Sequence, residues 1–456
     1  MELDDAALKS LAAKIDGSLV TPDDPSYDVV RQVWNGSIDR RPAVIVRCAS
    51  AYDVGHALRF AKETGLRVTV RSGGHSMAGL SICDDGLMID LSPMKGVRVD
   101  TEARRAFAQA GLLGGELDRA TQEFGLATTL GTVSHTGIAG LTLGGGMGWL
   151  MRRHGLACDN VLSVEAVLAD GSVVHANPTE HPDLFWALRG GGGSFAIVTE
   201  FEYALYPVGP QIALTQMLFS PADGFEALRL ARDLGRDASA DRDLFLGHTR
   251  LPDAPQLPAE LRGTPAYLVI GFSADLADAD GAWMAPLDAL RPVLKMSRPY
   301  PYVKLQAMYD EENRPGVRAY SKGAFIEDLS DDAIATFVEY APQYSDDALV
   351  YVQQMGGAVT APIDSAAQGR GADYVLNIIA RWSDEANAPM ARQWARSFAE
   401  AMKPFALPAH PLNFEGDVFT GFPDEAQPNS DGYARLRAVK RAYDPAGVLG
   451  STQRPH

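Results

Sequence analysis

The segment Val68-Thr69-Val70-Arg71-Ser72-Gly73-Gly74-His75-Ser76 sets a histidine at the mouth of a glycine turn that follows a β-branched strand end. In such a turn the backbone N–H groups of Ser72 to Gly74 can approach an anion with no Cβ in the way, and the imidazole of His75 stands at the rim. The plainer reading is a turn histidine satisfied by nearby carbonyls. A third reading takes Gly74-His75-Ser76-Met77-Ala78 as a hydrolase nucleophile elbow, which needs a helix directly after the serine. Leu80 to Gly86 carries turn residues there instead, and Leu87-Met88-Ile89-Asp90-Leu91 reads as a short strand.

Gly131 to Gly148 is a second chemical segment, with glycines at 131, 137, 140, 144, 145, 146 and 148. That density lowers helix and strand propensity alike and predicts close backbone approach to a bound group rather than packing. The interleaved Val133, Ile138, Leu141, Leu143 and Met147 argue against a solvated linker. A third cluster, Arg189 to Ala196, formally satisfies a dinucleotide fingerprint through Gly191, Gly193 and Ala196. A true fingerprint opens a helix, whereas Phe195 to Tyr203 is aromatic, β-branched and strand-like, so a nicotinamide-binding Rossmann domain is not expected.

Arg71 to His75, the Gly131 to Gly148 run, Cys158-Asp159-Asn160 and Gly190 to Thr199 together resemble the berberine-bridge-enzyme-like FAD-linked oxidases. The likeness continues at Tyr433-x-Arg435-Leu436-x-x-Val439-Lys440-x-x-Tyr443-Asp444-Pro445 and covers nearly the whole chain, most closely the bacterial branch that includes 6-hydroxynicotine oxidase. It implies an α+β fold: a two-part FAD-binding domain of the vanillyl-alcohol-oxidase type, residues 1–206 and 406–456, and a substrate domain, 207–405, with a large antiparallel sheet backed by helices. It also implies FAD bonded covalently through its 8α-methyl group to His75, with the Ser72 to Ser76 loop on the pyrophosphate. The flavin contacts carried over are Arg71, Ser72, Gly73, Gly74, Ser76, Gly131, Thr132, His135, Thr136, Gly137, Gly140, Leu141, Gly145, Gly146, Asn160, Ile197, Val198 and Gln453.

Many relatives add a second link through a cysteine at the place held here by Val133, so a single bond is expected, with no cysteinyl link. Covalent attachment removes cofactor dissociation and makes the isoalloxazine more oxidising. The family's dioxygen gate aligns with Thr136, where relatives carry an aliphatic residue. An oxidase passing electrons to dioxygen and a dehydrogenase using another acceptor both stay open. Sugar-oxidising relatives place a basic tyrosine two positions before the asparagine matching Asn413, and here that place is Pro411. Tyr309, Tyr351 and His135 are the remaining titratable candidates, Asn413 is a candidate for orienting substrate or flavin, and a flavin-binding protein without turnover is the third alternative. The terminal Thr452-Gln453-Arg454 departs from the family's Asn-x-Asn pattern.

Positioning these residues requires alternating elements. Val44 to Val46, Ala51 to Glu63 and Leu66 to Val70 read as a β-α-β unit, and Leu8, Leu11, Ala12 and Ile15 fit a short amphipathic helix. Beyond the Pro207 to Pro210 turn, Ile212 to Phe219, Tyr267 to Phe272, Ala348 to Gln354 and Tyr374 to Ala380 are strand-like, separated by amphipathic helices such as Gly224 to Leu234. On one of these strands Tyr351, Gln353 and Met355 share a face, a neutral polar-aromatic wall that suits a pocket for a small alcohol, phenolic or amine substrate.

The chain of 456 residues can bury a large core, and its net charge of −17 disfavours nucleic acid or an anionic membrane as partner. Three scattered cysteines make neither a disulfide framework nor a zinc site. The acidic N-terminus lacks the basic-then-apolar pattern of an export signal, and no stretch has the apolar length of a membrane span. A cytoplasmic protein, monomer or homodimer, is expected, and Asn35-Gly36-Ser37 reads as a turn rather than a glycosylation acceptor.

Overall fold

The computed structural model describes residues 4–251, 255, 257–344, 348–417 and 430–450. Its β-α-β start is the strand Val44–Arg47, the helix Ala51–Thr64 and the strand Val68–Arg71. Ser50 starts the helix by accepting from the Asp53 N–H, and Gly65 ends it at φ 70°, the left-handed geometry that glycine adopts without Cβ strain. The two strands do not pair with each other. Both run parallel to Leu87–Asp90, which lies between them, and Ser18–Val20 completes the sheet. The second sheet is antiparallel, with Ile197–Ala204 between Arg105–Gln109 and Val161–Val167. Both sheets share one apolar core, and the C-terminal helix Ser430–Tyr443 joins it through Tyr433, Leu436 and Val439.

The third sheet has seven strands, in the order Leu294–Pro301, Gln211–Phe219, Pro265–Ser273, Arg242–Arg250, Ala348–Gln354, Tyr374–Trp382 and Arg318–Ile326, every pair antiparallel. Strand periodicity divides its side chains. Val350, Val352, Leu376 and Ile378 pack on Ala227, Leu228, Phe337 and Phe398 of the helices Gly224–Arg236, Asp331–Tyr340 and Ala388–Met402. Leu349, Tyr351, Asn377 and Ile379 look the other way, into a cavity. The fold is therefore an α+β arrangement of two sheets sharing one core and a larger antiparallel sheet backed by helices.

Three strands of this sheet escape a periodicity reading for visible reasons. Arg242–Arg250 buries Asp243 and His248 along with its apolar residues, Leu294–Pro301 is an edge strand carrying Pro299 and Pro301, and Arg318–Ile326 has Lys322-Gly323 at its centre. Cys48, Cys83 and Cys158 are buried free thiols. Among the described residues no helix is long and apolar enough to cross a membrane, and no group of histidine, cysteine and carboxylate residues could hold a metal. Asn35 forms a turn: its Oδ1 accepts from the N–H and hydroxyl of Ser37, while its buried amide donates to Met77 and Ala319 carbonyls.

Candidate active site

A cavity of about 450 Å³ runs between the glycine-rich loops and the seven-stranded sheet, within the roughly 300–1,000 Å³ usual for cofactor and substrate sites. One end is bounded by Gly190 to Ser194, Tyr433 and Leu436, the middle by His75, Gly131, Thr136 and Gly140, and the other end by Trp34, Tyr309, Tyr351 and Asn377.

The His75 turn is anchored from below. Arg71 points away from the cavity and grips buried Asp90, Nε to Oδ1 at 3.0 Å and Nη2 to Oδ2 at 2.6 Å, while its Nη1 donates to the carbonyls of Val30 and Gln32. Burial works against the Asp90 charge, yet the Arg71 and Ser92 hydrogen bonds hold its carboxyl below the ordinary range. Above this anchor, the N–H groups of Gly73, Gly74, His75 and Ser76 make no backbone hydrogen bond among the described residues. They form a donor set suited to a phosphate anion. The His75 ring lies under Trp34, stacked at 4.7 Å and 22°, and its Nε2 is 2.8 Å from His135 Nδ1. Burial, then the neighbouring His135, pushes His75 down to about 3, so the ring is neutral with a lone pair to offer.

The glycines sort into two groups. A Cβ on Gly73 would lie 2.3 Å from the Gly137 nitrogen, one on Gly137 2.2 Å from the Gly73 nitrogen, and one on Gly148 1.7 Å from the Leu130 oxygen. These glycines let two backbones touch, so packing explains them, contrary to the expectation drawn from the sequence. A Cβ on Gly140 meets nothing, because that residue faces the cavity. The run also contains a helix, Ile138–Leu143, whose Ile138, Ala139 and Leu141 are buried despite the glycine-rich surroundings. Neighbouring loops pressed together, with a vacant face and a row of free N–H donors, fit a dinucleotide-shaped cofactor such as FAD.

The opposite wall is built by strand register. Tyr351 pairs with Asn377, and Leu349 with Ile379, so the four side chains form one patch. Asn377 Nδ2 donates to the Tyr351 hydroxyl at 3.1 Å, and Phe245 stacks on Tyr351 at 4.2 Å and on Tyr309 at 5.4 Å. Asn377 Oδ1 and the Tyr309 hydroxyl are buried without a partner among the described residues. Burial raises the Tyr351 phenol to about 12 and the Tyr309 phenol well above its ordinary value. Both keep their protons at neutral pH, which suits hydrogen-bond donors rather than bases.

Of the residues singled out in the sequence, Ser72, Gly73, Gly74, His75, Ser76, Gly131, Thr132, Thr136, Gly137, Gly140, Leu141, Ile197, Val198, Tyr309, Tyr351 and Asn413 border the cavity. Several do not. Gln353 is one strand step too far and donates to buried Asp243 at 2.9 Å, and Met355 belongs to a separate apolar cluster. Asn160 bridges the carbonyls of His154 and Leu156, Arg71 is the anchor described above, and His135 stands behind His75. Gly145 and Gly146 lie behind the wall, where Asn413 accepts from the Gly146 N–H and donates to the Leu141 carbonyl. That clamp uses the Asn413 side chain on backbone rather than on a ligand. Gln453, with Thr452 and Arg454, lies outside the described residues. Trp34, Asn313 and Asn377 were not singled out. Asn377 was within reach, since it sits on an expected strand in alternation with Ile379, whereas Trp34 sits in a loop with no periodic signal.

Residues 42–177 match the family described as FAD binding domain. The chain is 30% identical to the uncharacterized FAD-linked oxidoreductase YgaK of Bacillus subtilis strain 168 over 96% of both chains. Over 46% of its length, and 45% of the relative's, it is 38% identical to (R)-6-hydroxynicotine oxidase of Paenarthrobacter nicotinovorans. The crystal structure of 6-hydroxy-D-nicotine oxidase from Arthrobacter nicotinovorans superposes with a TM-score of 0.84, 27% identity and coverage of 95% of this chain and 96% of that one. Berberine bridge enzyme, at 20% identity, shares the fold with a TM-score of 0.83 over 100% of this chain and 99% of the other.

Proposed function

Because this chain belongs to the berberine-bridge-enzyme-like FAD-linked oxidoreductases, we propose that it is an oxidase whose FAD is bonded through His75 and whose electrons pass to dioxygen. The observation that carries the reading is the state of His75. Its Nε2 is engaged by His135, its face is covered by Trp34, and its ring is neutral, which leaves Nδ1 as the nitrogen to bond the flavin's 8α carbon. Ser72 to Ser76 would hold the pyrophosphate, and Gly131, Thr136 and Gly140 would lie along the cofactor. With Val133 where relatives have a cysteine, that bond is the single covalent link.

Bound FAD supplies a two-electron acceptor for a substrate C–H bond. The residues of this chain do the rest. Tyr309, Tyr351 and Asn377 present hydrogen-bonding groups in an apolar wall, which orients a small alcohol, phenolic or amine substrate and excludes water. For an alcohol, FAD held here would take the C–H hydrogen with its electron pair, the O–H proton would be released, and dioxygen would accept the two electrons and two protons as hydrogen peroxide. The protonated phenols position the substrate, and neither serves as the resting base.

Acid precipitation tests the attachment: yellow colour and fluorescence stay with the wild-type polypeptide, and His75→Ala releases them. Colourless wild-type protein with no adduct at His75 would overturn the covalent reading. Stopped-flow mixing of reduced enzyme with air tests the acceptor, and reoxidation in well under a turnover time is expected. Thr136, which borders the cavity where relatives place an aliphatic gate residue, favours the second reading, a dehydrogenase, if reoxidation is sluggish.

A further inference from the structure

Residues 411–417 form a strap between the two walls of the cavity. Asn413 holds the glycine-loop wall through the Gly146 N–H and the Leu141 carbonyl, and the next residue, Phe414, meets Tyr351 of the sheet wall edge to face at 6.3 Å. Leu412, Glu415 and Asp417 also border the cavity. Four successive residues of the edge strand Arg318–Ile326 fix the strap in this position. The Tyr320 hydroxyl donates to Asp417 at 2.7 Å. Ser321 donates from its hydroxyl to the Phe414 carbonyl at 2.7 Å and accepts from the Gly416 N–H at 3.0 Å. Lys322 Nζ lies 2.6 Å from Glu415 and 2.7 Å from Asp417, so it grips the strap on both sides of Gly416. Gly323 leaves the room, since a Cβ there would come within 2.6 Å of Pro411 and 2.7 Å of Phe414. Arg396 adds a bond to Asp417 at 3.0 Å. The Lys322-Gly323 pair that breaks the apolar pattern of this strand is thus part of a docking site for the strap.

We propose that Lys322 is a positioning residue, the latch that keeps the strap across the gap between the walls, and that small molecules reach bound flavin through transient release of this latch. The inference rests on FAD occupying the cavity, whatever its attachment and whatever acceptor reoxidises it. The Lys322 and Glu415 side chains are 21% and 19% exposed, so their attraction is only partly screened by solvent. Although burial opposes the Asp417 charge, hydrogen bonds from Lys322, Tyr320 and Arg396 hold its carboxyl down to about 2, and this half of the latch is ionised across the neutral range. Phe414 cannot leave Tyr351 while Lys322 holds the residues that follow it. Entry and exit through such a gate pass through the same open state, so the latch sets both rates and leaves affinity alone.

The test uses the holoenzyme as purified, with sulfite as the probe because it adds reversibly to oxidised flavin and bleaches its visible absorption. Stopped-flow mixing over a range of sulfite concentrations gives the association and release rates. Lys322→Met should raise both by roughly fivefold or more, the weight of a part-buried ion pair, with the dissociation constant held within about twofold. Glu415→Ala should do the same although it removes the opposite charge, and Lys322→Arg should keep the wild-type rates. Release is unimolecular and so independent of charge steering during encounter. In wild type it should quicken with added sodium chloride, and in Lys322→Met it should not. Association rates that move in opposite directions in Lys322→Met and Glu415→Ala would reveal steering alone and overturn the latch. Unchanged rates in both variants, a dissociation constant that shifts with no common factor in the two rates, or salt-independent release from wild type would overturn it too, and the salt measurement needs no variant. If the wild-type protein carries no flavin absorption, the flavin reading fails first and takes this one with it.

Discussion

The two walls of the cavity are built on opposite principles. On the glycine-loop side the anchoring side chains are already spent, Arg71 on Asp90 and Asn413 on the Gly146 and Leu141 backbone, with Gly73 against Gly137, and the backbone N–H groups of Gly73 to Ser76 supply the donors. On the sheet side, Asn377 Oδ1 and the Tyr309 hydroxyl are sealed and have no partner among the described residues. A buried polar atom without a partner costs about 1–3 kcal/mol. The first wall is therefore rigid before any ligand arrives, and the second holds hydrogen-bonding capacity in reserve. A tightly held cofactor needs the former, and discrimination among substrates needs the latter.

The sharpest way to break this contrast is to add one methyl group at two glycines of the same run. Gly137→Ala places a Cβ 2.2 Å from the Gly73 nitrogen, and backbone cannot swing aside as a side chain can. It should cost ~3 kcal/mol or more and abolish flavin binding. Gly140→Ala lies in a helix with nothing within 4 Å, so stability should hold or rise by up to about 1 kcal/mol. Its methyl group projects toward the space assigned to FAD, and flavin affinity should fall while the fold survives. Thermal melts with FAD titration read both. Equal behaviour of the two variants would erase the distinction between packing glycines and cavity glycines.

Arg71→Leu comes next. Asp90 would keep only the 3.3 Å contact to Arg47 and its Ser92 bonds, and stability at neutral pH should drop by about 3 kcal/mol. The sign with pH follows from the depressed Asp90 value: its ion-pair contribution is present above the unfolded carboxylate pKa of about 3.9 and is lost as pH falls through the lower folded value. The gap between wild type and variant should narrow below about pH 4. A gap that stays constant through acid unfolding would remove Asp90 from the anchor.

The same contrast explains what the sequence discloses. The flavin-side loops are local: strand, glycine turn and histidine lie within nine residues. The sheet side depends on pairing across sequence distance. Tyr351 is legible as a pocket residue only together with Asn377, its cross-strand partner, and with Tyr309, which arrives from a turn after the helix Tyr302–Gln306. Alternation alone extends the pocket face to Gln353, but Asp243, from a strand that periodicity did not reveal, captures that amide. Glycine density signalled the right region for a partly different reason, because a sequence cannot tell whether a missing Cβ makes room for a ligand or for another loop.

A smaller effect sits where the two halves meet. Asp118, on the helix Gly114–Gln122, accepts from Gln306 Nε2 at 3.0 Å and is otherwise sealed, its Oδ1 without a partner among the described residues. Burial raises its carboxyl to about 7. For an acid with a raised folded value, stability is greatest below the unfolded pKa of about 3.9, declines as pH rises toward 7, and is level beyond. Asp118→Asn should therefore stabilise the protein by on the order of 1 kcal/mol at pH 8 and by little at pH 4, read as melting temperature against pH. A gain at pH 4 as large as that at pH 8 would show that ionisation of this carboxyl is irrelevant to the joint.

Tyr309→Phe probes the reserve directly and should have the smallest effect on stability. Its hydroxyl is sealed without a partner among the described residues, so deletion removes a desolvation cost and leaves the Phe245 stack in place. The melting temperature should stay level or rise, by less than about 1 kcal/mol in stability. Asn377→Leu is the contrasting change, because the Tyr351 hydroxyl then loses its 3.1 Å donor as well. Both variants should lose affinity for a hydroxyl-bearing aromatic such as benzyl alcohol, by about tenfold, relative to toluene, which has no hydrogen-bonding group. Anaerobic calorimetry separates binding from turnover. If both variants bind the two probes in the wild-type ratio, the unpaired atoms of the sheet wall serve the fold, and the division of labour between the walls is lost.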